Sequence, residues 1–255
     1  MTAISAGLCE SEVLYEDEFL LAVDKPAGLL LHPSWLDRHE TDTLVSRVKQ
    51  HFASQGHIGK VHTVHRLDRP TSGVILIAKA DDVAKSLAEQ FRMGQVAKKY
   101  WAVCRGFSPE SERIDYALTE ELDKIADRDA SKVREPQQAV TQINRLGIAE
   151  VGVPVSRYSQ ARFSFVECSP LTGRKHQIRR HLKHIRHPII GDTRYGCRHH
   201  NKLAKAELGF NSLALRAVSI EFIHPATQVS MRVSAPLSLS WRELFEKLGW
   251  DALSA

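Results

Sequence analysis

The sequence predicts an α+β fold built on a mixed, largely antiparallel central sheet flanked by helices. Three observations carry this. Short aliphatic runs such as Phe19–Val23 and Val74–Ala78 recur along the chain and are bounded by turn residues. Stretches of helical period are few and do not alternate regularly with the strands. No glycine-rich fingerprint joins a strand to a helix, so a dinucleotide-binding doubly wound sheet is not indicated.

In chain order, about a dozen unpatterned residues precede the strand at Phe19–Val23. Asp24-Lys25-Pro26-Ala27-Gly28 then reads as a turn, because Pro26 sets its φ and Gly28 lets the chain leave it. Leu29–Leu31 is expected to return as a short strand. Residues 42–52 place Leu44, Val45, Val48 and Phe52 on one helical face, with Thr41 as the expected cap. A polar loop around Asp68 leads into the strand Val74–Ala78. Asp81 and Asp82 open a second helix that Gly94 closes. Residues 96–104 alternate like a strand, and Ile114–Leu118, Ala139–Leu146 and Arg162–Glu167 are further strands. A helix is expected over 175–185, strands over 213–223 and 229–234, and a last helix over 238–248.

Composition bounds the function class. Hydrophobic residues make up 43% of the chain and charged residues 25%, as in an ordinary globular protein. A net charge of +5 is too modest to indicate a nucleic-acid partner by itself. The four cysteines lack metal-site spacing and read as free thiols of a reducing compartment. The amino terminus has no secretory pattern, and no apolar run spans a bilayer, so the expected location is cytoplasmic, with no membrane contact.

The distribution of charge is more informative than its sum. Residues 172–205 hold ten Lys or Arg and six His against one acid, Asp192. Ile178, Leu182 and Ile185 supply an apolar stripe, so this basic helix docks on a core. Thr172-Gly173 at its start suggests free N–H groups suited to a phosphate. So many like charges repel one another unless an anion neutralises them, and a polyanion backbone fits. The histidines lack the carboxylate or thiolate company of a cation site, so no metal is expected.

The stretch VHRLDRPTSGVILIAK sets one carboxylate, Asp68, between Arg66 and Arg69. Its residues alone allow a surface salt bridge at a turn. They equally allow a carboxylate kept ionised for chemistry by its cationic neighbours.

Ordered motifs now add a resemblance. His65-Arg66-Leu67-Asp68-Arg69-Pro70-Thr71-Ser72-Gly73 resembles the HRLDxxTSG signature of the RluA-type pseudouridine synthases. Lys98-Lys99-Tyr100 resembles their KxY motif. Thr172-Gly173-Arg174-Lys175-His176-Gln177-Ile178-Arg179-Arg180-His181 resembles their TGRxHQIRxH motif. Asp24–Gly28, Leu31-His32-Pro33 and His187–Asp192 also fit. The resemblance implies a pseudouridine-synthase fold of two lobes with a catalytic cleft between them. It covers 13–255 as one catalytic domain after a tail at 1–12, without the family's S4 domain. Ser34–Arg38, Pro70 and Glu121–Asp127 resemble the branch acting on tRNA, implying uridine 65 of the T-stem region as target.

What the resemblance implies is isomerisation of uridine to pseudouridine without any cofactor, by a chain acting as a monomer with RNA as its only partner. Asp68 is the implied essential carboxylate, and its first step is open: attack at C1′, addition to the ring, or proton removal from C2′. Arg179 is the implied partner of that carboxylate, and Tyr100 stacks on the uracil and accepts the C5 proton. Arg66 is expected to hold the strand open around an extruded base. His65, Arg174, Lys175, His176, Arg180 and Lys183 complete the expected RNA-binding set. Arg69 and Thr71-Ser72-Gly73 are expected to be structural. The same motifs serve sibling enzymes acting on ribosomal RNA, which is the alternative; a non-catalytic RNA-binding factor is a more distant one.

Overall fold

The computed structural model describes residues 7–33, 40–57, 60–120 and 135–250. The subtype features at 34–38 and 121–127, and with them Trp35, lie outside the described residues. Among the described residues the chain forms ten strands of a mostly antiparallel sheet and five α-helices, which is the expected class. The described residues divide into two compact units, the first drawn from 7–98 and 219–235 together with 120 and 135, the second from 99–119, 136–218 and 236–250.

In the first unit, β1 (Val13–Glu16), β2 (Leu20–Lys25) and β4 (Ser72–Ala78) lie antiparallel in that order, with the two-residue β3 (His62–Thr63) on β4. All of β4 is buried, as its continuous aliphatic run requires. Helix α2 (Asp81–Arg92) covers this sheet with Val83 and Leu87, beside Leu20, Val74 and Leu76. The unpatterned start was misjudged: β1 is too short for its period to be read. Helix α1 runs Leu44–Ser54, capped by Thr43 rather than Thr41, because the Thr43 hydroxyl reaches the Ser46 N–H at 3.2 Å. Leu29–Leu31 forms no strand. Leu30 makes a lone parallel bridge to Thr43 instead, which seats α1.

In the second unit, β5 (Ala97–Arg105), β8 (Ala161–Pro170), β7 (Val140–Val151) and β6 (Ser111–Asp115) form an antiparallel succession. β7 is longer than expected, because a bulge between Arg145 and Gly147 lets pairing continue to Val151. Helix α3 (Gln177–His184) and helix α5 (Leu239–Leu248) pack on a core of Phe163, Phe165, Leu182 and Phe245. Trp101 belongs to this core, edge-on to Phe165 and stacked on Phe245. Helix α4 (Arg198–Glu207) was not foreseen, since its basic residues hide the stripe made by His200, Leu203 and Ala204. The last hairpin pairs β9 (Leu215–Ile223) with β10 (Ser230–Ser234), and its paired residues belong to the first unit. Among the described residues no helix is long and apolar enough to cross a membrane.

Candidate active site

The candidate residues form two groups, one in each unit. In the first, the end of β2 lies beside the start of β4, Lys25 opposite Gly73. The turn leaving β2 and the loop entering β4 are bonded together. The Gly28 N–H donates to the Arg69 carbonyl at 2.8 Å, and Arg69 Nε donates to the Gly28 carbonyl at 3.0 Å. Gly28 has a φ of 89°, a conformation that glycine adopts without strain.

The loop is anchored on both sides of Asp68. Leu67 and Thr71 are buried, while Asp68 between them is half-buried and Arg66 is exposed. The Thr71 N–H donates to the Asp68 carbonyl at 3.0 Å and closes the turn. Arg69 also approaches Glu40 at 3.5 Å, in keeping with its expected structural task. Lys25, which the sequence reading left without a task, is fully buried under this loop. Its ammonium donates to the carbonyls of Pro26, Leu29 and Arg69 at 3.0, 2.9 and 3.1 Å. Burial pushes its pKa down to about 7, against the pull of Asp68 and Asp24.

His65 requires a correction. Its ring stacks on Phe91 at 4.7 Å, and Nε2 accepts the Leu76 N–H at 2.9 Å. Burial, with Lys98 nearby, lowers its pKa to about 3, so it is a neutral acceptor inside the fold. A ring committed to the β4 backbone is not an RNA-binding cation, and His65 leaves that set.

In the second group, Arg179 projects from α3 and is 5% exposed. Its Nε and Nη2 donate to the two carboxylate oxygens of Asp192 at 2.8 and 3.0 Å, a bidentate pair. Burial alone would raise the Asp192 carboxyl; the bonds from Arg179, Tyr195 N–H and Arg194 N–H outweigh it and hold the carboxyl below its usual range. The Tyr195 ring lies 5.1 Å from the Arg179 guanidinium and 5.6 Å from Lys183 Nζ, and its hydroxyl meets His176 Nδ1 at 2.9 Å. The sequence reading missed Tyr195, and only its place three residues after Asp192 could have signalled it. Tyr100 is half-buried on β5, opposite Cys168 in register, and packs against the core of this unit.

The expected phosphate seat at Thr172-Gly173 is also corrected. Helix α3 starts later, at Gln177, whose side chain accepts the Arg174 N–H at 3.0 Å and the Thr172 hydroxyl at 2.6 Å. The buried amide of Gln177 therefore takes donors that a phosphate would need. Of the other basic residues, Lys183 is exposed, Lys175 is half-buried, Arg180 reaches the Thr119 carbonyl and Arg174 the Gln138 carbonyl. Several histidines are structural: His181 bonds Thr141 and the Tyr116 carbonyl, His184 stacks on Tyr116, and His187 bonds the Arg105 carbonyl.

Comparison with known proteins shows what the chain is similar to. A family model described as RNA pseudouridylate synthase matches residues 19–184. The chain is 45% identical to the tRNA pseudouridine synthase C of Haemophilus influenzae, over 94% of this chain and 98% of that one. Its identity to the protein of the same name from Yersinia pestis is 44%, covering 95% and 93%. Among solved structures, Human RNA Pseudouridylate Synthase Domain Containing 4 superposes with a TM-score of 0.69 at 26% identity, covering 93% of this chain and 92% of that one.

Proposed function

Because the chain belongs to the RluA-type RNA pseudouridylate synthases, an isomerase family, we propose that it converts uridine 65 of tRNA to pseudouridine with Asp68 as the essential carboxylate. The observation that carries this reading is the loop itself. Leu67 and Thr71 are buried on either side of Asp68, the turn is closed by its own carbonyl, and Lys25 anchors it from below. Such a mount holds one carboxylate still at a half-open position, which suits a group that must meet a reacting atom.

Arg179 is the proposed counter-charge for that carboxylate. Its pair with Asp192 uses Nε and Nη2, which fixes the plane of the guanidinium. Tyr100 is the proposed stacking face for the uracil, and its phenol accepts the C5 proton. The target base is extruded from the helix, because its C5 and C1′ cannot be reached in the stack. Arg66, Arg174, Lys175, His176, Arg180 and Lys183 are proposed to hold the RNA backbone. The similarity to relatives named for tRNA favours tRNA over ribosomal RNA.

Tritium release from C5-labelled tRNA transcripts tests the reading. Asp68→Asn is expected to abolish release while RNA binding stays within about 3-fold of the parent chain. Retained activity in that variant, or release confined to ribosomal RNA, would reject the corresponding part of the proposal.

A further inference from the structure

We propose that the ring of Tyr116, backed by His184, is a stacking platform for an unpaired base of the RNA, separate from the base that reacts. The inference rests on the proposed action on tRNA and adds a second point of contact to it. Tyr116 directly follows β6 and is 45% exposed. The imidazole of His184, at the end of α3, lies flat on it, with ring centroids 3.7 Å apart and planes 18° from parallel. A ring covered on one face by a second ring and still this open presents its other face to solvent, where a base can stack.

A single exposed tyrosine would need no explanation. This one is held rigidly, within the second unit alone. Its N–H donates to the Ala139 carbonyl at 3.1 Å, and its carbonyl accepts from His181 Nε2 at 3.0 Å. A carbonyl only accepts, so Nε2 carries the proton, and Nδ1 takes the Thr141 hydroxyl at 2.9 Å. Just beyond, Leu118 and Gln137 exchange backbone bonds at 2.8 and 3.0 Å, and Arg180 Nη1 donates to the Thr119 carbonyl at 2.9 Å. A ring mounted this way loses little freedom when a ligand settles on it.

Charge identifies the occupant. Helix α3, which supplies the imidazole, contains no acid. Arg180 lies one turn before His184 on the same helix face, and the exposed Lys183 and Arg186 stand on either side of it in sequence. An aromatic face among cations fits a ligand that joins a flat ring to an anionic backbone, which describes single-stranded nucleic acid. Sheet register keeps this place apart from Tyr100. Tyr100 lies opposite Cys168, Cys168 opposite Ile143, and Ile143 opposite Glu112, three strand spacings or about 14 Å across. Tyr116 follows four residues beyond Glu112. The base it takes therefore belongs to a different nucleotide from the uridine proposed to meet Tyr100.

Two variants test this, Tyr116→Leu, which removes the aromatic face, and Tyr116→Phe, which keeps it. Binding is measured to a tRNA transcript and to a fully paired RNA duplex, with pseudouridine formation followed on the transcript. Tyr116→Leu is expected to bind the transcript about 10-fold more weakly and to raise its KM to match, with kcat within about 2-fold. Its duplex affinity and the salt slope of its tRNA binding are expected to be those of the parent chain, because stacking releases no counterions. Tyr116→Phe is expected to restore tRNA affinity to within about 2-fold of the parent chain. A folded Tyr116→Leu chain with parental tRNA affinity, or with an equal loss on the duplex, overturns the inference. Should Tyr116→Leu fail to fold, the parent chain is irradiated with a transcript carrying 5-iodouridine at its loop positions. Crosslinks at Tyr116 or His184 support the platform, and a map without either overturns it. A parent chain that forms pseudouridine while Tyr116→Leu binds tRNA as well as it does rejects the platform alone. One that forms none rejects the proposed function.

Discussion

At the scale of single residues, the proposed chemistry depends on side chains that other side chains hold in place. Arg179 and Asp192 show this. A nearly buried guanidinium meets both oxygens of a carboxylate that two backbone N–H groups also engage. Asp192→Asn keeps the shape but removes the charge, and breaking a buried pair costs about 3–5 kcal/mol. Because the folded Asp192 pKa is lowered, its contribution is present above the unfolded value, about 4, and is lost as pH falls through the folded one. Urea midpoints measured from about pH 2.5 to pH 7 should therefore show a shallower acid fall in Asp192→Asn than in the parent chain. His65 teaches the converse lesson. Its type and motif suggested contact with RNA, yet the Leu76 N–H and the Phe91 ring give it an internal task.

At the scale of elements, short connections aim the site more than the regular strands do. The segment that carries Asp192 is woven into its surroundings: the Ile190 N–H bonds the Val103 carbonyl, and the Ala214 N–H bonds the Ile190 carbonyl. Gly191 sits inside this weave with a φ of 76°, and a Cβ there would lie 1.7 Å from the Ser212 carbonyl oxygen. That oxygen is backbone and cannot swing aside. Gly191→Ala should destabilise the chain by about 2–4 kcal/mol, seen as a lowered Tm, and should reduce turnover through displaced Asp192 and Arg179. Helix α3 makes a related point. Its basic face was legible, but its start was not, because Gln177 folds back to take the donors of the preceding turn.

At the scale of the whole molecule, the excess of +5 is small, yet the segment 172–205 concentrates cations in one region. RNA binding that uses them must release counterions, so the logarithm of affinity should fall linearly with the logarithm of salt. Arg66→Gln and Lys183→Gln replace exposed cations; each should lower the magnitude of that slope by about 1, with little change in Tm. A slope unaltered in both would remove these two residues from the RNA-binding set. The two hydrophobic cores are separate, one around Leu20, Val74 and Phe222 and the other around Phe163, Phe165 and Phe245.

The sequence by itself determined the class of fold, the positions of most strands and helices, and the family to which the chain belongs. Aliphatic period and turn residues are local signals, and the motifs keep their order along the chain. Its errors fall where local signals are weak: the brief β1, the bridge at Leu30, the basic helix α4 and the exact start of α3. Only the tertiary structure decided which charged residues are buried, because burial depends on groups far apart in the chain. Lys25 reads as one residue of a turn until the Arg69 carbonyl, 44 residues on, closes over it. Arg179 reads as one cation among ten until Asp192 and Tyr195 enclose it. A residue type states what a side chain can donate, accept or ionise, and the folded surroundings determine which of these it does.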